Sequence, residues 1–439
     1  MNREMKDSGI PWIGEIPKKW QVNMLSSLFD EHKQKNKDLA ETNLLSLSYG
    51  KIVRKDINTK EGLLPESFDG YNVILRGDIV FRLTDLQNDK RSLRTGLCLE
   101  KGIITSAYVT IRERTPLNSS YFHYLLHSYD LCKVFYGMGD GVRQGMNYSD
   151  LRKLLVLQPS LTEQQKIAEF LDRKCSEIDE MVALQEKYIE ELKAYKQSVI
   201  TEAVTKGLNP DVPMRDSGIE WIGQIPEHWG VCRVKDCLLN TKNNLRVGPF
   251  GSALSGNDIC DTGEYWIYNQ RTVLDGNFST NNSFVTKEKY KELESFRVFP
   301  NDILITTRGS IGKIAIVPSD APIGILHPCI IRFVIDESRY ISRLLKRIFN
   351  ESDFVLKQLR YQSNSTTIEV IYSYTLRNIT LPNIPITEQQ AIANYLDEKC
   401  ADIDSLIQTK QSKIDSLKEY KKSIIYEYVT GKKEVIEHP

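Results

Sequence analysis

The side chains best placed for chemistry in this 439-residue chain are ones that bind rather than cleave. Arg can donate two hydrogen bonds to guanine, and Asn or Gln can pair bidentately with adenine, while Lys, Ser, Thr and backbone amides hold phosphates. Between residues 20 and 160 the candidates of these types, with one aromatic, are Tyr49, Lys51, Arg54, Arg82, Asn88, Arg91, Arg94, Arg143, Gln144 and Asn147. Between 230 and 385, Arg246 and Ser252 lie in RVGPFGSALSG, a glycine-punctuated loop able to bring backbone amides close to a phosphate. Asn269, Gln270 and Arg271 follow, then Arg308, Ser310 and Lys313 in TTRGSIGK, then Gln362, Asn364, Ser365 and Thr366. Taken singly, each reads as well as an ordinary surface residue. Their recurrence in both blocks is what points to DNA.

Catalytic patterns are missing from the same sequence. TTRGSIGK lacks the four residues between glycines that a Walker A loop needs, and GxGxxG and GxSxG do not occur. Neither the Asn/Asp-Pro-Pro-aromatic tetrapeptide of DNA amino-methyltransferases nor a Pro-Asp…Asp/Glu-x-Lys nuclease cluster is present. The eight cysteines (Cys98, Cys132, Cys175, Cys232, Cys237, Cys260, Cys329 and Cys400) never form CxxC, so they read as small buried hydrophobes rather than zinc or redox sites. His123 and His127 stand four apart, but HxxxH without an adjacent Glu is a weak metal signal. The expectation is a chain with no catalytic residue, no metal and no cofactor of its own.

What must position these side chains is visible as a repeat. MKDSGIPWIGEIPKKW at 5–20 returns as MRDSGIEWIGQIPEHW at 214–229, with 11 of 16 positions identical. TEQQKIAEFLDRKCSEID from Thr162 returns as TEQQAIANYLDEKCADID from Thr387, and the match runs on to Thr205 and Thr430. The first block repeats at an offset of 209 and the second at 225, while the middles show no comparable match. The unit is therefore a constant block, a divergent middle and a constant helical block, twice over.

The helical block opens with Thr162 and Gln165, repeated as Thr387 and Gln390, which read as a capping box with Glu163 against the positive helix end. Leu171, Cys175, Ile178, Val182, Ile189, Leu192 and Val199 then alternate at spacings of three and four, a heptad seam that continues to Ala203. The second seam is Leu396, Cys400, Ile403, Ile407, Ile414, Leu417 and Ile424, continuing to Tyr428. Polar breaks match as well: Gln185 and Lys196 in one, Lys410 and Lys421 in the other. Forty-odd residues at 1.5 Å each give a rod of roughly 60 Å, and one such helix cannot bury its stripe alone. Each needs the other, and chain order makes the pair antiparallel with a pseudo-twofold axis across it.

The middles read as mixed α/β. YNVILRGDIVFRL (71–83), GIITSAYVTIR (102–112), NDILITTR (301–308) and GKIAIVP (312–318) are strand-like, and 121–137 and 339–360 are helix-like. Net charge is zero overall, yet residues 20–160 carry 19 basic and 16 acidic side chains and 230–385 carry 19 and 15. The helical stretches 162–206 (7 against 10) and 387–430 (6 against 8) are acidic, as is the linker 207–229, at net −3. Positive charge thus sits in the two blocks that carry the candidate readers, which permits DNA binding without requiring it. No run of 18 apolar residues occurs and MNREMKDSGIPWIG has no apolar signal-peptide core, so a cytoplasmic protein without membrane spans is expected.

DSGI-x-WIG-x-IP-x-x-W opening each half and TEQQ-x-IA-x-x-LD-x-K opening each helix resemble the specificity (S) subunit of type I restriction–modification enzymes, HsdS. The likeness spans essentially the whole chain, although QPSLTEQQ in the first half lacks the Leu-Pro approach of LPNIPITEQQ in the second. The resemblance implies a non-catalytic subunit that recognises a split, asymmetric site in double-stranded DNA. It implies a first target recognition domain with its repeat segment at 1–160, a spacer helix at 161–206, linker, repeat segment and second recognition domain at 207–385, and a second spacer helix at 386–431. It further implies α/β (α+β) domains in tandem duplication, joined by two long helices forming an antiparallel coiled coil. The implied partners are two methylation (M) subunits and restriction (R) subunits, which would carry S-adenosylmethionine, ATP and Mg.

Overall fold

The computed structural model describes residues 3–58, 67–86, 93–138, 145–280, 283–362 and 370–436. The chain forms two compact units, residues 1–186 with 411–439, and residues 187–410. Two long helices, Leu161–Lys206 and Ile386–Val429, each contribute one part to each unit. No helix among the described residues is long and apolar enough to cross a membrane.

The repeated sequence blocks fold alike. Each N-terminal block makes a short hairpin, Met5–Asp7 with Glu15–Pro17 and Met214–Asp216 with Gln224–Pro226, in the same register. The tryptophan closing each hairpin is buried, and its indole N–H donates to the glutamate of the TEQQ segment: Trp20 to Glu163 at 3.0 Å and Trp229 to Glu388 at 3.1 Å. A strand after each tryptophan pairs with the strand leading into the long helix: Gln21–Met24 with Leu155–Gln158, and Gly230–Arg233 with Thr380–Asn383. The missing Leu-Pro in the first half therefore leaves the exit strand intact.

The middles, which diverge in sequence, share a sheet. In the first unit β1 (Phe29–Glu31), β2 (Ile79–Phe81), β3 (Thr95–Leu97) and β4 (Val109–Glu113) lie in the order β1-β4-β2-β3. In the second, β5 (Leu245–Val247), β6 (Ile303–Thr306), β7 (Ile314–Ile316) and β8 (Ile330–Phe333) lie in the order β5-β8-β6-β7, and every pairing in both sheets is antiparallel. The same turn precedes the central strand. Gly77 and Asn301 take positive φ (97° and 67°), and the next residue's carboxylate accepts from a backbone N–H three residues back, Leu75 to Asp78 at 2.7 Å and Phe299 to Asp302 at 2.6 Å. Each aspartate is then met by an arginine from the neighbouring strand, Arg112 at 2.7 Å and Arg332 at 3.1 Å. Buried carboxylates need such partners, so the pair ties the two central strands in register.

The cap of the first helix lies two residues ahead of the capping box read from the sequence. The helices begin at Leu161 and Ile386, ahead of Thr162 and Thr387. In the first, the Ser160 hydroxyl accepts from the Glu163 N–H at 3.3 Å, which is the cap. The working glutamine is the first of the QQ pair. Gln164 donates to the Pro159 carbonyl at 2.9 Å and accepts from the Asn118 N–H at 3.0 Å. Gln389 donates to the Ile384 and Arg339 carbonyls and accepts from the Ile341 N–H at 2.8 Å. Both amides are buried, so their bonds hold domain to helix in a place water does not reach.

Within each unit the helix segments pair antiparallel. In the first, Phe170 meets Tyr428 and Asp179 meets Lys421. In the second, Tyr188 meets Lys410 and Lys196 meets Asp404. Adding the offset of 225 to Asp179 gives Asp404, and subtracting it from Lys421 gives Lys196, so the same ion pair is made twice with the helices exchanged. Of the first seam, Leu171, Cys175, Ile178, Val182 and Ile189 are buried while Leu192 and Val199 are half-buried, with Ile200 taking the inner position beside Val199. Of the second, Leu396, Cys400, Ile403, Ile414 and Ile424 are buried, and Ile407 and Leu417 half-buried. Helix and domain share one core: Ile200, Leu396 and Cys400 cluster with Trp229, Ile303 and Phe333 of the second unit. Cys132 is exposed and Cys232, Cys260 and Cys329 half-buried, so half of the cysteines are not the buried hydrophobes expected.

Candidate nucleic-acid interface

The structure sorts the candidate readers by what their side chains already hold. Arg94 is fully buried, donating to the carbonyls of Thr84 at 2.9 Å and Asp85 at 3.3 Å, so it braces the fold and cannot meet a base. Arg246 lies over the Phe296 ring at 4.6 Å and donates to the Ser295 hydroxyl at 3.0 Å. The Lys313 ammonium is held by the Asn350 carbonyl. Asn147 and Asn269 are helix caps, accepting from Ser149 at 2.7 Å and Thr272 at 3.1 Å. Arg54 forks onto Glu100 at 2.8 and 3.0 Å. The sequence could not separate these from true surface groups, because a capping Asn and a reading Asn are the same residue type.

Those left facing solvent fall in two places. In the first unit Tyr49 and Gly50 make the two-residue turn between strands Leu45–Ser48 and Lys51–Arg54, with φ of 46° and 78°. Positive φ at both positions is what a right-twisted hairpin requires, yet Tyr is costly there. The Tyr49 ring is 82% exposed, and Lys51 beside it is exposed, 3.8 Å from Asp179. Arg82 is half-buried.

In the second unit three chain segments converge. The Gly248 N–H donates to Ile330 at 2.9 Å, and a Cβ there would lie 2.2 Å from the His327 carbonyl oxygen, so only glycine fits. Ala253 and Leu254 donate to the Phe250 carbonyl. The amides of 248, 253 and 254 are thus spent inside the protein, against the expectation of a phosphate cradle. Thr307 bonds the Cys329 carbonyl at 3.0 Å, which sets Arg308 beside His327. Burial, then the Arg308 charge, holds the His327 ring below its ordinary pKa and so neutral. The Gln270 amide lies against Gly309, 3.3 Å from where a Cβ would stand. Arg308, Ser310 and Ser252 are exposed, Gln270 is half-buried, and Arg271 is exposed with Asp275 at 3.2 Å. Asn88, Arg91, Arg143, Gln144, Asn364, Ser365 and Thr366 lie outside the described residues, as does the side chain of Gln362.

His123 and His127 are half-buried on the helix Ser119–Leu131 of the first unit, ring centroids 5.9 Å apart. Burial lowers His123 to about 3, helped by the neighbouring His127, and lowers His127 to about 4, helped by Lys421. Among the described residues no group of His, Cys, Asp and Glu is arranged to hold a metal.

The described residues thus build one sheet and one domain-to-helix junction twice on a shared pair of long helices, with the exposed candidate side chains on turns and loops. Known proteins share this architecture and part of its sequence. The type I restriction modification DNA specificity domain matches residues 247–430. The chain is 24% identical over 434 residues to the putative type I restriction enzyme MjaX specificity subunit of Methanocaldococcus jannaschii, covering 96% of this chain and 95% of that one. It is 26% identical to the type I restriction enzyme EcoBI specificity subunit of Escherichia coli, over 70% of this chain and 65% of that one. Two solved structures share the fold. One comes from work on complex assembly and conformational transition of the type I R-M system (TM-score 0.69, 15% identity, 95% of this chain and 99% of that one). The other is the HsdS subunit from Thermoanaerobacter tengcongensis (TM-score 0.51, 14% identity, 97% and 99%). Residues 247–430 thus match a type I restriction modification DNA specificity domain, and along most of its length the chain is similar to specificity subunits of type I restriction enzymes.

Proposed function

We propose that this chain is the specificity subunit of a type I restriction–modification complex and binds a bipartite, asymmetric target in double-stranded DNA. Residues 1–160 and 207–385 act as its two target recognition domains, and the helices 161–206 and 386–431 as spacers. The observation that carries this is one sheet and one domain-to-helix junction built twice beneath different loops: the frame is constant and the readers differ. Tyr49 and Lys51 in the first domain, and Ser252, Arg271, Arg308 and Ser310 in the second, are the exposed described candidates to face a duplex, with Arg82 and Gln270 half-buried beside them. Asn88, Arg91, Arg143, Gln144, Gln362, Asn364, Ser365 and Thr366 complete the set. The spacer helices fix the gap between half-sites and dock two M subunits, to which R subunits add. Methyl transfer from S-adenosylmethionine and ATP- and Mg-dependent work belong to those partners, and the DNA target places the assembly in the cytoplasm.

Co-expression with its methyltransferase partner, followed by single-molecule sequencing of methylated bases, tests this. The expected result is a split motif, methylated on both strands and lost when this chain is deleted. A methylation pattern indifferent to deletion would overturn the reading. Matched seven-residue insertions in both helices should lengthen the gap, since one heptad adds about 10 Å per helix.

A further inference from the structure

Phe250 stands out from the rest of the second unit. Its side chain is 87% exposed, the most exposed large apolar group among the described residues. Single exposed hydrophobes are common and need no function. This one is held out on purpose-built backbone. Pro249 before it is buried, and Leu254 after it is buried against Ile267, Val285 and Tyr290. Two bonds to its own carbonyl close the turn, and the obligatory close approach of Gly248 pins the loop's base to the 327–330 segment. The ring therefore has a fixed place two residues from Gly248, on the segment that packs beside His327 and Arg308. The first unit holds out an aromatic in a comparable way, Tyr49, on a turn that costs it a left-handed φ.

We propose that Phe250 is a base-reading residue of the second recognition domain, making van der Waals contact with the 5-methyl group of a thymine in the major groove. This rests on the DNA-recognition reading above and adds a contact and a base to it. The choice of base follows from chemistry. In an intact duplex the base faces are closed by stacking, so a ring with no hydrogen-bonding capacity can meet only an edge. The thymine methyl is the apolar group the major-groove edges present. Arg308 and Gln270, nearby, supply the donors and acceptors that the polar edges of adjacent base pairs need.

The test uses the full-length chain in complex with its M partner and the target duplex identified by methylation sequencing. Each thymine of the second half-site is replaced in turn by deoxyuridine, which removes only the methyl group, and affinity is measured for wild type and Phe250→Ala. Burial of one methyl is worth about a fourfold change in Kd. The expected result is one position where deoxyuridine weakens wild type about fourfold and leaves Phe250→Ala unchanged, with Phe250→Leu in between. Affinity of Phe250→Ala equal to wild type overturns the proposal. So does equal sensitivity of both proteins at every thymine, as a minor-groove wedge would give, or a half-site with no thymine. A wild-type complex that does not separate its target from scrambled duplex overturns the recognition reading itself.

Discussion

The two units end their helix pairs differently. In the unit formed by residues 1–186 and 411–439, the Phe170 and Tyr428 rings pack at a tilt of 35° with centroids 4.3 Å apart. The corresponding residues of the other unit, at the offset of 225, are Tyr395 and Ala203. There the smaller residue leaves a cleft of about 760 Å³, lined also by Tyr195, Leu208 and Pro210. The Asp–Lys pair of the seam, the Trp–Glu pair and the buried glutamine are by contrast kept in both. Direction-giving polar contacts have been conserved between the copies while volume has drifted. That is the order expected if an unpaired buried polar group costs more than a small void at a helix surface.

The largest test of that ordering is the buried aspartate of each sheet. Asp302→Ala strips the partner from Arg332, whose side chain is 7% exposed, and should destabilise the second unit by about 3 kcal/mol or more. Asp78→Ala leaves Arg112, already 33% exposed, which can turn to water, so its cost should be nearer about 1–2 kcal/mol. Denaturant unfolding followed by hydrogen exchange in each unit would read both. Equal costs would mean that exposure of the remaining partner does not decide the matter.

Gln164→Ala and Gln389→Ala come next. Gln164→Ala leaves an N–H and one carbonyl unpaired, for a loss of about 2 kcal/mol, and Gln389→Ala, which leaves an N–H and two carbonyls, should cost more. The second glutamine of each pair, Gln165 or Gln390, should be nearly silent. This is also where the sequence misled. The repeat announced that TEQQ mattered, but a helix cap placed two residues late assigned the work to the wrong glutamine. Existence, length and pairing of the long helices were legible because a heptad pattern over about eight turns has few alternatives. The common sheet beneath the divergent middles was not, since its identity rests on two residues per copy, Asp78 with Arg112 and Asp302 with Arg332, separated by loops of different length. Reader residues were legible only as types. Whether an Asn caps a helix or an Arg forks onto a glutamate is set by tertiary neighbours, and Phe250 carried no signal because an apolar residue is first read as core.

Acid should separate the units further. His123 and His127 of the first unit are held neutral with pKa values far below the ordinary 6.5, so the unfolded chain binds protons that the folded one refuses. Stability of that unit is therefore lost as pH falls below about 6.5, by up to about 1.4 kcal/mol per pH unit for each histidine. Asp130 works in the opposite direction. Burial raises its carboxyl to about 6, so the folded state takes its proton first and gains as pH falls from about 6 toward 4. The net expectation is the loss due to about one histidine over that window. In the second unit the described histidine with a lowered value is His327. Hydrogen exchange at pH 7 and pH 5 should show the first unit opening earlier. A first unit no more acid-sensitive than the second would mean that the two rings are protonated within the fold.

The smallest effect addresses the cleft directly. Ala203→Tyr places in the second unit the residue that the first unit has at this seam position, facing Tyr395 as Tyr428 faces Phe170. An aromatic pair adds about 0.5–1.5 kcal/mol beyond area burial, so a gain of about 1 kcal/mol is expected if the cleft admits the ring. Tyr428→Ala in the first unit should lose a similar or larger amount, since it removes both the ring contact and its buried surface. The two substitutions together then approximate an exchange of ends, and the sum should lie near zero if the seams are equivalent frames that differ only in filling. A destabilising Ala203→Tyr would instead show that the backbone about Gly207–Pro210 has settled around the smaller residue. Drift in volume would then have become fixed in the fold, and the copies would no longer be interchangeable at that end.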